Sequence, residues 1–388
     1  MMRKLRWLTA GESHGKGLVG ILEGLPAGLE IAEDYIAFQL ARRQQGYGRG
    51  QRMDIESDRA EIHTGVRHGS TLGSPIALVL PNKDWKNWQH IMSIGPVDRS
   101  IEPVTLPRPG HGDLAGVRKY GFTDIRNVLE RASARETAMR VALGSLARKF
   151  LGDLDIEVGS RVIAIHTARD KSALPDDLSP DGLNALVDAS PVRCLDKKAE
   201  KAMMKAIDEA RAAGDSVGGT FEVIAAGIPY GLGSHTQWDL KLKARLSEAV
   251  VSINAIEGVE IGLGFAGAER LGSAFQDEII KEGDTARLTR TTNNAGGIEA
   301  GMSNAQPIVV RAVMKPLPTL TKPLRSVDIQ SGEPGLAHKE RTDICAVPAA
   351  AIVAESMICL VLADALLEKF GGDSMDQVKA HMQATARY

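Results

Sequence analysis

Two arginines with no acidic neighbour at helical spacing are the first chemical signal in the sequence. Arg131 and Arg135 lie four residues apart in the segment 124–146, whose apolar spacing predicts one long helix that begins at Asp124. Like charges at this spacing cost a few tenths of a kcal/mol. The pair therefore predicts a fork of hydrogen-bond donors for an anion. The alternative is two solvated arginines on an exposed face.

Two loops carry histidines among small residues. The first, GESHG at 11–15, contains Ser13 and His14, and the second, RPGHGD at 108–113, contains His111. Imidazoles act as acids or bases near neutral pH, and glycines let the backbone approach a ligand closely. The first loop does not match the phosphate-binding pattern G-x-x-x-x-G-K-[ST]. Both loops predict proton transfer on a bound substrate, with structural histidines as the alternative.

A third loop combines arginines with glycines. The sequence RRQQGYGRGQR follows a predicted helix over 33–45 and contains Arg42, Arg43, Arg49 and Arg52. Guanidinium groups bind phosphates and carboxylates through paired hydrogen bonds, so this loop predicts a clamp for an anionic substrate. Loops rich in arginine and glycine also occur in RNA-binding proteins, which is the alternative.

The composition limits the class of protein. The chain has 388 residues, of which 43% are hydrophobic and 25% charged, as is typical of globular proteins. A net charge of −2 and 4% aromatic residues argue against nucleic acid as a partner. Three scattered cysteines (Cys194, Cys345 and Cys359) fit a reducing cytosol, and no signal peptide is evident. The cysteine usage leads us to expect a cytoplasmic protein. The most apolar run, 346–367, contains two acidic residues and predicts a buried helix rather than a membrane span.

The elements around these loops read as a mixture of strands and helices. Predicted strands cover 3–8, 18–22, 59–66, 76–80, 158–165, 217–228 and 308–314. Predicted helices cover 33–45, 124–146, 196–213, 239–256 and 346–367. Within 124–146, Glu130 and Glu136 have ion-pair spacing to Arg126 and Arg140 respectively. We expect 171–191 to be irregular, 289–306 to form a long polar loop and the tail 371–388 to fray.

A glycine pattern offers another alternative. Gly262, Gly264 and Gly267 match the G-x-G-x-x-G spacing of dinucleotide-dependent oxidoreductases, but no clean helical stripe follows them. No cluster of histidines and cysteines has zinc spacing, so no metal site is expected. The residues alone therefore indicate an enzyme for a small, multiply anionic substrate, and they do not identify its reaction.

Eight motifs, in the same order along nearly the whole chain, resemble the chorismate synthase family. They are GESHG (11–15), RRQQGYGRGQRM (42–53), RPGHGD (108–113), LERASARETAMRVA (129–142), EGVEIGLGF (257–265), TNNAGGIE (292–299), KPLPT (315–319) and RTDICAVPAA (341–350). The resemblance implies an α+β fold, a β-α-β sandwich with helices between antiparallel sheets, in one domain over 1–388. An internal duplication is compatible with a short echo between EGLPAGL and AAGIPYGLGS.

The resemblance also implies a reaction. A carbon–oxygen lyase of this family removes phosphate and the C6 proton from 5-enolpyruvylshikimate-3-phosphate by anti 1,4-elimination. The product is chorismate, in the last step of the shikimate pathway that feeds aromatic amino-acid biosynthesis. Reduced FMN is required without net redox change and would ease C–O cleavage by donating electron density transiently. We expect a homotetramer that depends on a separate flavin reductase, with NADPH as an indirect reductant.

Residue roles follow from the same resemblance. His14 would protonate or stabilise the leaving phosphate, His111 would act beside the reduced flavin and balance its charge, and Asp343 would assist proton removal by way of flavin N5. The substrate-binding residues would be Ser13, Arg43, Arg49, Arg52, Arg108 and Arg135. The cofactor would lie against Arg131, Ala132, Ser133, Asn254, Ala255, Ala300, Lys315, Pro316, Leu317, Pro318, Thr319 and Arg341.

Four positions depart from the family pattern. Gly112 stands where an alanine is expected, Ala300 and Ala305 replace glycines, and Pro318 replaces a serine or threonine. Three of the four lie in loops assigned to the flavin. Because the three residues with catalytic roles are kept, we expect these departures to change flavin affinity more than activity.

Overall fold

Two antiparallel sheets enclose the central helices of the fold. The computed structural model describes residues 4–50, 58–97, 101–175, 177–283, 288–340 and 342–385, so the predicted site residues Arg52 and Arg341 lie outside the described part. The helices are α1 (Glu33–Gln44), α2 (Trp85–Trp88), α3 (Asp113–Tyr120), α4 (Arg126–Ala132), α5 (Thr137–Gly152), α6 (Pro180–Val187), α7 (Lys197–Ala213), α8 (Leu242–Val251), α9 (Gly272–Phe275), α10 (Val347–Phe370) and α11 (Met375–Thr385).

The strands form two main sheets and several short hairpins. They are β1 (Arg6–Ala10), β2 (Gly17–Glu23), β3 (Glu61–Ile62), β4 (Val66–Arg67), β5 (Ser70–Thr71), β6 (Ile76–Pro81), β7 (Glu157–Ile165), β8 (Ala168–Arg169), β9 (Gly219–Ala226), β10 (Ile256–Ile261), β11 (Ile279–Lys281), β12 (Leu288–Arg290), β13 (Ile298–Glu299), β14 (Met302–Ser303), β15 (Ile308–Met314), β16 (Arg325–Val327) and β17 (Pro334–Leu336). The first sheet has the order β1-β2-β6-β3 and the second β10-β15-β9-β7-β8. All neighbouring strands in both sheets are antiparallel.

Helices α5 and α10 fill the space between the sheets. Helix α5 packs on the first sheet, α10 packs on the second, and the two helices pack against each other. A Cβ atom on Gly144 of α5 would lie 2.4 Å from the Cβ of Ser356, so this crossing requires glycine. The predicted α+β sandwich is therefore confirmed.

Helix α10 is the predicted buried helix. Its length and composition would allow it to cross a membrane, yet its most apolar window is 100% buried inside the protein. Residues around the whole circumference of α10 are buried, because the helix contacts α5, α8 and strands β7 and β9 of the second sheet.

The predicted long helix 124–146 is wrong, because the chain breaks at Ser133. Helix α4 ends at Ala132, Ser133 is extended with φ −62° and ψ 139°, and a 3₁₀ turn over Ala134–Glu136 leads into α5. The Ser133 hydroxyl accepts a hydrogen bond from the backbone N–H of Arg135 at 3.3 Å. A serine side chain that bonds the backbone in this way competes with helix continuation.

One of the two predicted ion pairs within this segment is also wrong. Arg140 and Glu136 form the expected i, i+4 pair at 2.8 Å. Arg126 instead pairs with Asp124 at 2.9 Å, which leaves Glu130 for a contact outside the helix.

Three other segments differ from expectation. The segment 171–191 contains α6, whose first turn is capped by the Ser179 hydroxyl with Pro180 at its start. The tail 371–388 does not fray over 375–385, because α11 buries Met375 and Val378. The polar stretch 289–306 contains the short hairpin of β13 and β14.

The glycine pattern at 262–267 does not form a dinucleotide-binding motif. Strand β10, which precedes it, is antiparallel to β15, and the residues that follow form a 3₁₀ helix, Gly264–Glu269. A dinucleotide fingerprint requires a parallel strand followed by an α-helix. The oxidoreductase alternative is therefore wrong for this segment.

Candidate active site

One short segment contacts most of the predicted site loops. We call residues Glu130–Thr137, from the last turns of α4 to the first residue of α5, the central connector. Its groups bond to the loops that carry His14 and Asn254, to Arg43 at the end of α1 and to Asp58. The break in the predicted helix therefore lets adjacent residues of one segment point to separate parts of the fold.

His14 is held by a buried carboxylate at the start of the central connector. Its Nδ1 lies 2.9 and 3.0 Å from the two carboxylate oxygens of Glu130, and its backbone N–H donates to Oε2 at 2.8 Å. The Ser13 N–H donates to the Glu130 carbonyl at 3.0 Å. The imidazole stacks on Trp88 with 3.9 Å between ring centroids. The GESHG loop is thereby fixed against α4.

The two arginines of the connector bond to protein groups. Arg131 donates to the carbonyls of Thr9 and Gly11 at 2.9 and 3.0 Å. Arg135 donates both terminal nitrogens to the carboxylate of Asp58 at 2.6 and 2.8 Å, and both side chains of this pair are less than 10% exposed. The alternative of two solvated arginines on an exposed face is wrong.

Three predicted cofactor segments meet beside Ala132. The Nδ2 of Asn254 donates to the Ala132 carbonyl at 3.0 Å, and the Lys315 N–H donates to the Ala255 carbonyl at 2.9 Å. Oδ1 of Asn254 is buried without a hydrogen-bond partner among the described residues. A Cβ on Gly112 would lie 3.7 Å from the Cβ of Ala132, which places the RPGHGD loop alongside.

Arg108 and His111 share the buried carboxylate of Asp113. Nδ1 of His111 lies 2.6 Å from Oδ1, and Nε of Arg108 donates to Oδ2 at 2.9 Å. Burial alone would raise the pKa of Asp113, but hydrogen bonds from His111 and Arg108 hold it well below its usual range. Arg108 also donates to Thr319 at 3.1 Å and Glu340 at 2.8 Å, which joins this loop to KPLPT.

Arg49 and Asp343 form a second cluster. Nε of Arg49 lies 3.3 Å from Oδ2 of Asp343, and the Gly50 N–H donates to Oδ1 at 2.7 Å. The Ile344 N–H donates to the Gly48 carbonyl at 2.8 Å, so backbone and side-chain bonds join these two motifs.

This second cluster is connected to the loop Lys315–Thr319. The Val217 N–H donates to the carbonyl of Ile344 at 2.9 Å. The Ser216 hydroxyl donates to the carbonyl of Leu317 at 2.7 Å. Pro316 and Pro318 flank this anchored residue, and a Cβ on Gly110 would lie 3.5 Å from Pro318.

The arginines predicted to open the Arg-Gly loop lie in α1 and are buried. Arg43 donates to the Thr137 hydroxyl at 2.9 and 3.1 Å and to the Ala134 carbonyl at 3.0 Å. Arg42 points elsewhere and donates to Glu355 at 2.8 Å. An RNA-binding loop presents its arginines to solvent, where they can reach phosphates. Because Arg42 and Arg43 are buried, they cannot contribute to the RNA-binding alternative.

The structure does not bring Ala300 to the other cofactor residues. Ala300 lies in the turn between β13 and β14, beside Gly301, whose carbonyl accepts from the N–H of Leu242 at the start of α8. Asn254 follows the other end of α8. A ten-residue helix is about 15 Å long, so the two positions are separated by that length within the chain.

Sequence reasoning missed four side chains of the site. Glu130, Trp88, Asp58 and Glu340 contact the predicted residues His14, Arg135 and Arg108. The spacing of Glu130 to Arg126 suggested an ordinary helix pair and concealed its contact. The other three contacts span between 74 and 232 positions along the chain, and no local pattern marks such contacts. In the described part of the chain, no group of three His, Cys, Asp or Glu residues is suited to a metal ion.

The fold and these clusters of arginines, histidines and carboxylates are those of an enzyme that acts on a small molecule. The comparisons with known proteins agree. The family model described as chorismate synthase matches residues 5–367. A chorismate synthase of Geobacillus sp. (strain WCH70) is 54% identical over 387 residues, which covers 99% of both chains. One of Desulforudis audaxviator is 55% identical over 375 residues, covering 96% of this chain and 95% of the relative.

Solved structures give the same result. A crystal structure of chorismate synthase has a TM-score of 0.80 and 42% sequence identity, and the match covers 99% of this chain and 98% of that one. The chain therefore belongs to the chorismate synthase family, and it is a lyase.

Proposed function

We propose that this enzyme converts 5-enolpyruvylshikimate-3-phosphate to chorismate by anti 1,4-elimination of phosphate, with reduced FMN and no net redox change. This is the last step of the shikimate pathway and supplies aromatic amino-acid biosynthesis. The observation that carries the proposal is the convergence on the central connector, itself part of one family motif. His14 and Arg43 from two other family motifs, together with Asn254 and Asp58, bond to this eight-residue segment. The cytoplasm is the proposed location.

The substrate carries one phosphate and two carboxylates, so its binding requires several fixed cations. We assign substrate binding to the cations Arg43, Arg49, Arg108 and Arg135 and to the neutral Ser13, with Arg52 outside the described residues. Planar guanidinium groups held by protein acceptors lose little conformational entropy on binding such anions. Asp58 accepts one N–H from each terminal nitrogen of Arg135, so direct binding of substrate by Arg135 would use other N–H groups of the guanidinium.

Three residues are proposed to move protons. His14, anchored through Nδ1, protonates the leaving phosphate from Nε2. His111, anchored to Asp113, balances charge beside the cofactor. The carboxylate of Asp343, oriented by Arg49 and Gly50, is the final acceptor of the C6 proton.

The residues present fit a flavin. Asn254 offers a buried acceptor, Oδ1, that has no hydrogen-bond partner within the described residues, and it lies among the segments 131–133 and 315–319. We call Asn254, Ala255 and the segments 131–133 and 315–319 the cofactor wall. Ala300 lies away from this wall, and Arg341 lies outside the described part. When bound, reduced FMN supplies the electron density that eases C–O cleavage.

The assembly and the source of reduced flavin belong to the proposal as well. We propose a homotetramer that receives flavin reduced by a separate reductase, with NADPH as the indirect electron source. Purified enzyme incubated with NADPH and oxidised FMN under anaerobic conditions is expected to leave the flavin spectrum unchanged. Bleaching of the flavin absorbance without added reductase would contradict this part.

An anaerobic assay tests the reaction itself. Enzyme and 5-enolpyruvylshikimate-3-phosphate are mixed with either reduced or oxidised FMN, and chorismate and phosphate are followed together. We expect equal amounts of both products with reduced FMN and neither product with oxidised FMN. Absence of chorismate with reduced FMN, in protein that binds the flavin, would overturn the proposal.

A further inference from the structure

Glu130 contacts His14 through two different groups of the histidine. One carboxylate oxygen accepts the backbone N–H of His14 at 2.8 Å, and both oxygens lie within 3.0 Å of Nδ1. The Glu130 side chain is only 3% exposed, whereas the His14 side chain is 16% exposed. The carboxylate therefore lies behind the imidazole, on the protein side of the ring.

We propose that Glu130 is the positioning residue of this site, which fixes His14 with a proton on Nδ1 and directs Nε2 to the substrate. The inference deepens the proposed function and rests on it for the role of His14. An ionised carboxylate has only acceptor sites, so the Nδ1 that faces it must be the donor. The tautomer of a histidine is commonly set in this way by the partner of its second nitrogen.

Trp88 restricts the remaining freedom of the ring. Its indole stacks on the imidazole at a centroid distance of 3.9 Å and an interplanar angle of 28°. The indole N–H donates to Oδ2 of Asp84 at 3.1 Å, which holds the tryptophan in place. With Nδ1 bound at one edge and Trp88 against one face, rotation of the imidazole would break both contacts.

This arrangement explains how one histidine serves as a proton donor. The doubly protonated ring gives the Nε2 proton to an oxygen of the leaving phosphate as the C–O bond breaks. The ring then becomes neutral with its remaining proton on Nδ1, and Glu130 keeps its charge throughout. Without the carboxylate, the doubly protonated ring loses the negative charge that stabilises it, and the neutral ring left after proton transfer is no longer held with its proton on Nδ1.

The first test is Glu130→Gln, which keeps the length of the side chain and presents an amide to Nδ1. We expect kcat with reduced FMN to fall ten- to a hundredfold, typical of lost support for a functional histidine, with KM nearly unchanged. The ¹⁵N side-chain resonances of His14, assigned by comparison with His14→Ala, should move away from the Nδ1-protonated form. Glu130→Asp, which retains the charge, should recover part of kcat.

Glu136→Gln is the matched control. Glu136 is equally buried in the same segment, but its partner is Arg140 rather than a histidine. We expect this variant to lose a similar amount of melting temperature while kcat stays within about twofold of wild type. A wild-type kcat in Glu130→Gln, or an unchanged His14 tautomer, would overturn the proposal.

A double-mutant cycle separates this inference from the proposed function. If Glu130 acts through His14, the double variant with Glu130→Gln and His14→Ala should be no slower than His14→Ala alone. Additive losses would mean that Glu130 acts by another route. If His14→Ala retains full turnover, the assigned role of His14 fails, and the ¹⁵N measurement still decides whether Glu130 sets the tautomer.

Discussion

Glu355 and Glu130 are both almost fully buried carboxylates on helices, and they differ in the exposure of their partners. Glu355 on α10 is 1% exposed and is surrounded by Arg42, Arg148 and Arg193, whose side chains are 3–11% exposed. Burial alone would raise the pKa of Glu355, but these three charges lower it to about 2. All three guanidinium groups donate to Glu355, and their other partners, which include Asp188, also belong to the protein.

The cluster of Glu130 has the opposite organisation. Its carboxylate is buried to the same extent, but it holds His14, which retains 16% exposure, by only one ring nitrogen. The adjacent residues Arg42 and Arg43 are divided between the two regions. Arg42 donates to Glu355 in the structural cluster, and Arg43 donates to the central connector of the candidate site. A buried ion pair alone is thus weak evidence for a site, and a partly exposed acid or base held from behind is better evidence.

Among these predictions, we expect the largest loss of stability from a change in the Glu355 cluster. Glu355→Gln leaves three buried guanidinium groups without their common anion, and we expect the free energy of unfolding to fall by about 3–5 kcal/mol at pH 7. Urea unfolding measures this change. Glu368→Gln is the control, because Glu368 pairs with Arg245 but is 47% exposed, and it should cost less than about 1 kcal/mol.

The pH dependence of stability, compared between wild type and Glu355→Gln, gives a second test of the Glu355 cluster. Because the pKa of Glu355 is lowered in the folded state, its ion pairs contribute fully above the pKa of an unfolded glutamate, about 4.3. That contribution is lost as the pH falls towards about 2. Wild-type stability should therefore decline more steeply than that of Glu355→Gln between about pH 5 and about pH 3. Parallel curves would contradict the assignment.

The buried pair of Arg135 and Asp58 tests whether one ion pair can both stabilise the fold, as the Glu355 cluster does, and serve the candidate site. Arg135→Ala leaves Asp58 buried without its cation, so we expect a loss of about 3 kcal/mol of stability as well as weaker substrate binding. Adding Asp58→Asn should restore most of the stability but none of the substrate affinity. Unfolding curves and equilibrium binding of 5-enolpyruvylshikimate-3-phosphate measure the two effects. Recovery of affinity in the double variant would assign Arg135 to structure alone.

His111→Ala should affect turnover without affecting the flavin. A general acid or base contributes typically 10²–10⁴-fold, so we expect kcat to fall at least about a hundredfold. FMN affinity, measured by fluorescence titration, should stay within about threefold, because the cofactor wall at Asn254 does not depend on this side chain. His63→Ala, at an exposed histidine paired with Glu61, should leave both quantities unchanged. Turnover near that of wild type would remove His111 from the reaction.

The regular elements were predictable because their patterns are local. Short apolar runs predicted β2, β6 and β15, and apolar alternation predicted β7, all to within about two residues. The longest apolar run predicted α10. The break at Ser133 was not predictable, because the neighbouring alanines and arginines favour a helix. The extended residue is favoured by the tertiary contacts of the connector and by the Ser133 hydroxyl bond, which one serine in the sequence does not announce. The same limit applies to the site, where the types and order of residues indicated the chemistry but not the partners.

Two departures from the family pattern provide the smallest predicted effect. Ala300 and Ala305 have φ angles of 49° and 64°, the left-handed region in which a Cβ atom costs about 1–2 kcal/mol. Glycine at either position removes this cost but adds about 0.5–1 kcal/mol of unfolded-chain entropy. We expect Ala300→Gly and Ala305→Gly each to stabilise the protein by about 0.5–1 kcal/mol.

Ala295→Gly is the matched control for these two changes. Ala295 is in the same polar stretch without a positive φ, so glycine there removes no strain and should destabilise slightly. FMN affinity gives a second readout, because Ala300 lies across the length of α8 from Asn254. An unchanged affinity in Ala300→Gly would agree with a flavin site built from the connector and the loop 315–319. A marked rise would mean that the turn between β13 and β14 reaches the cofactor.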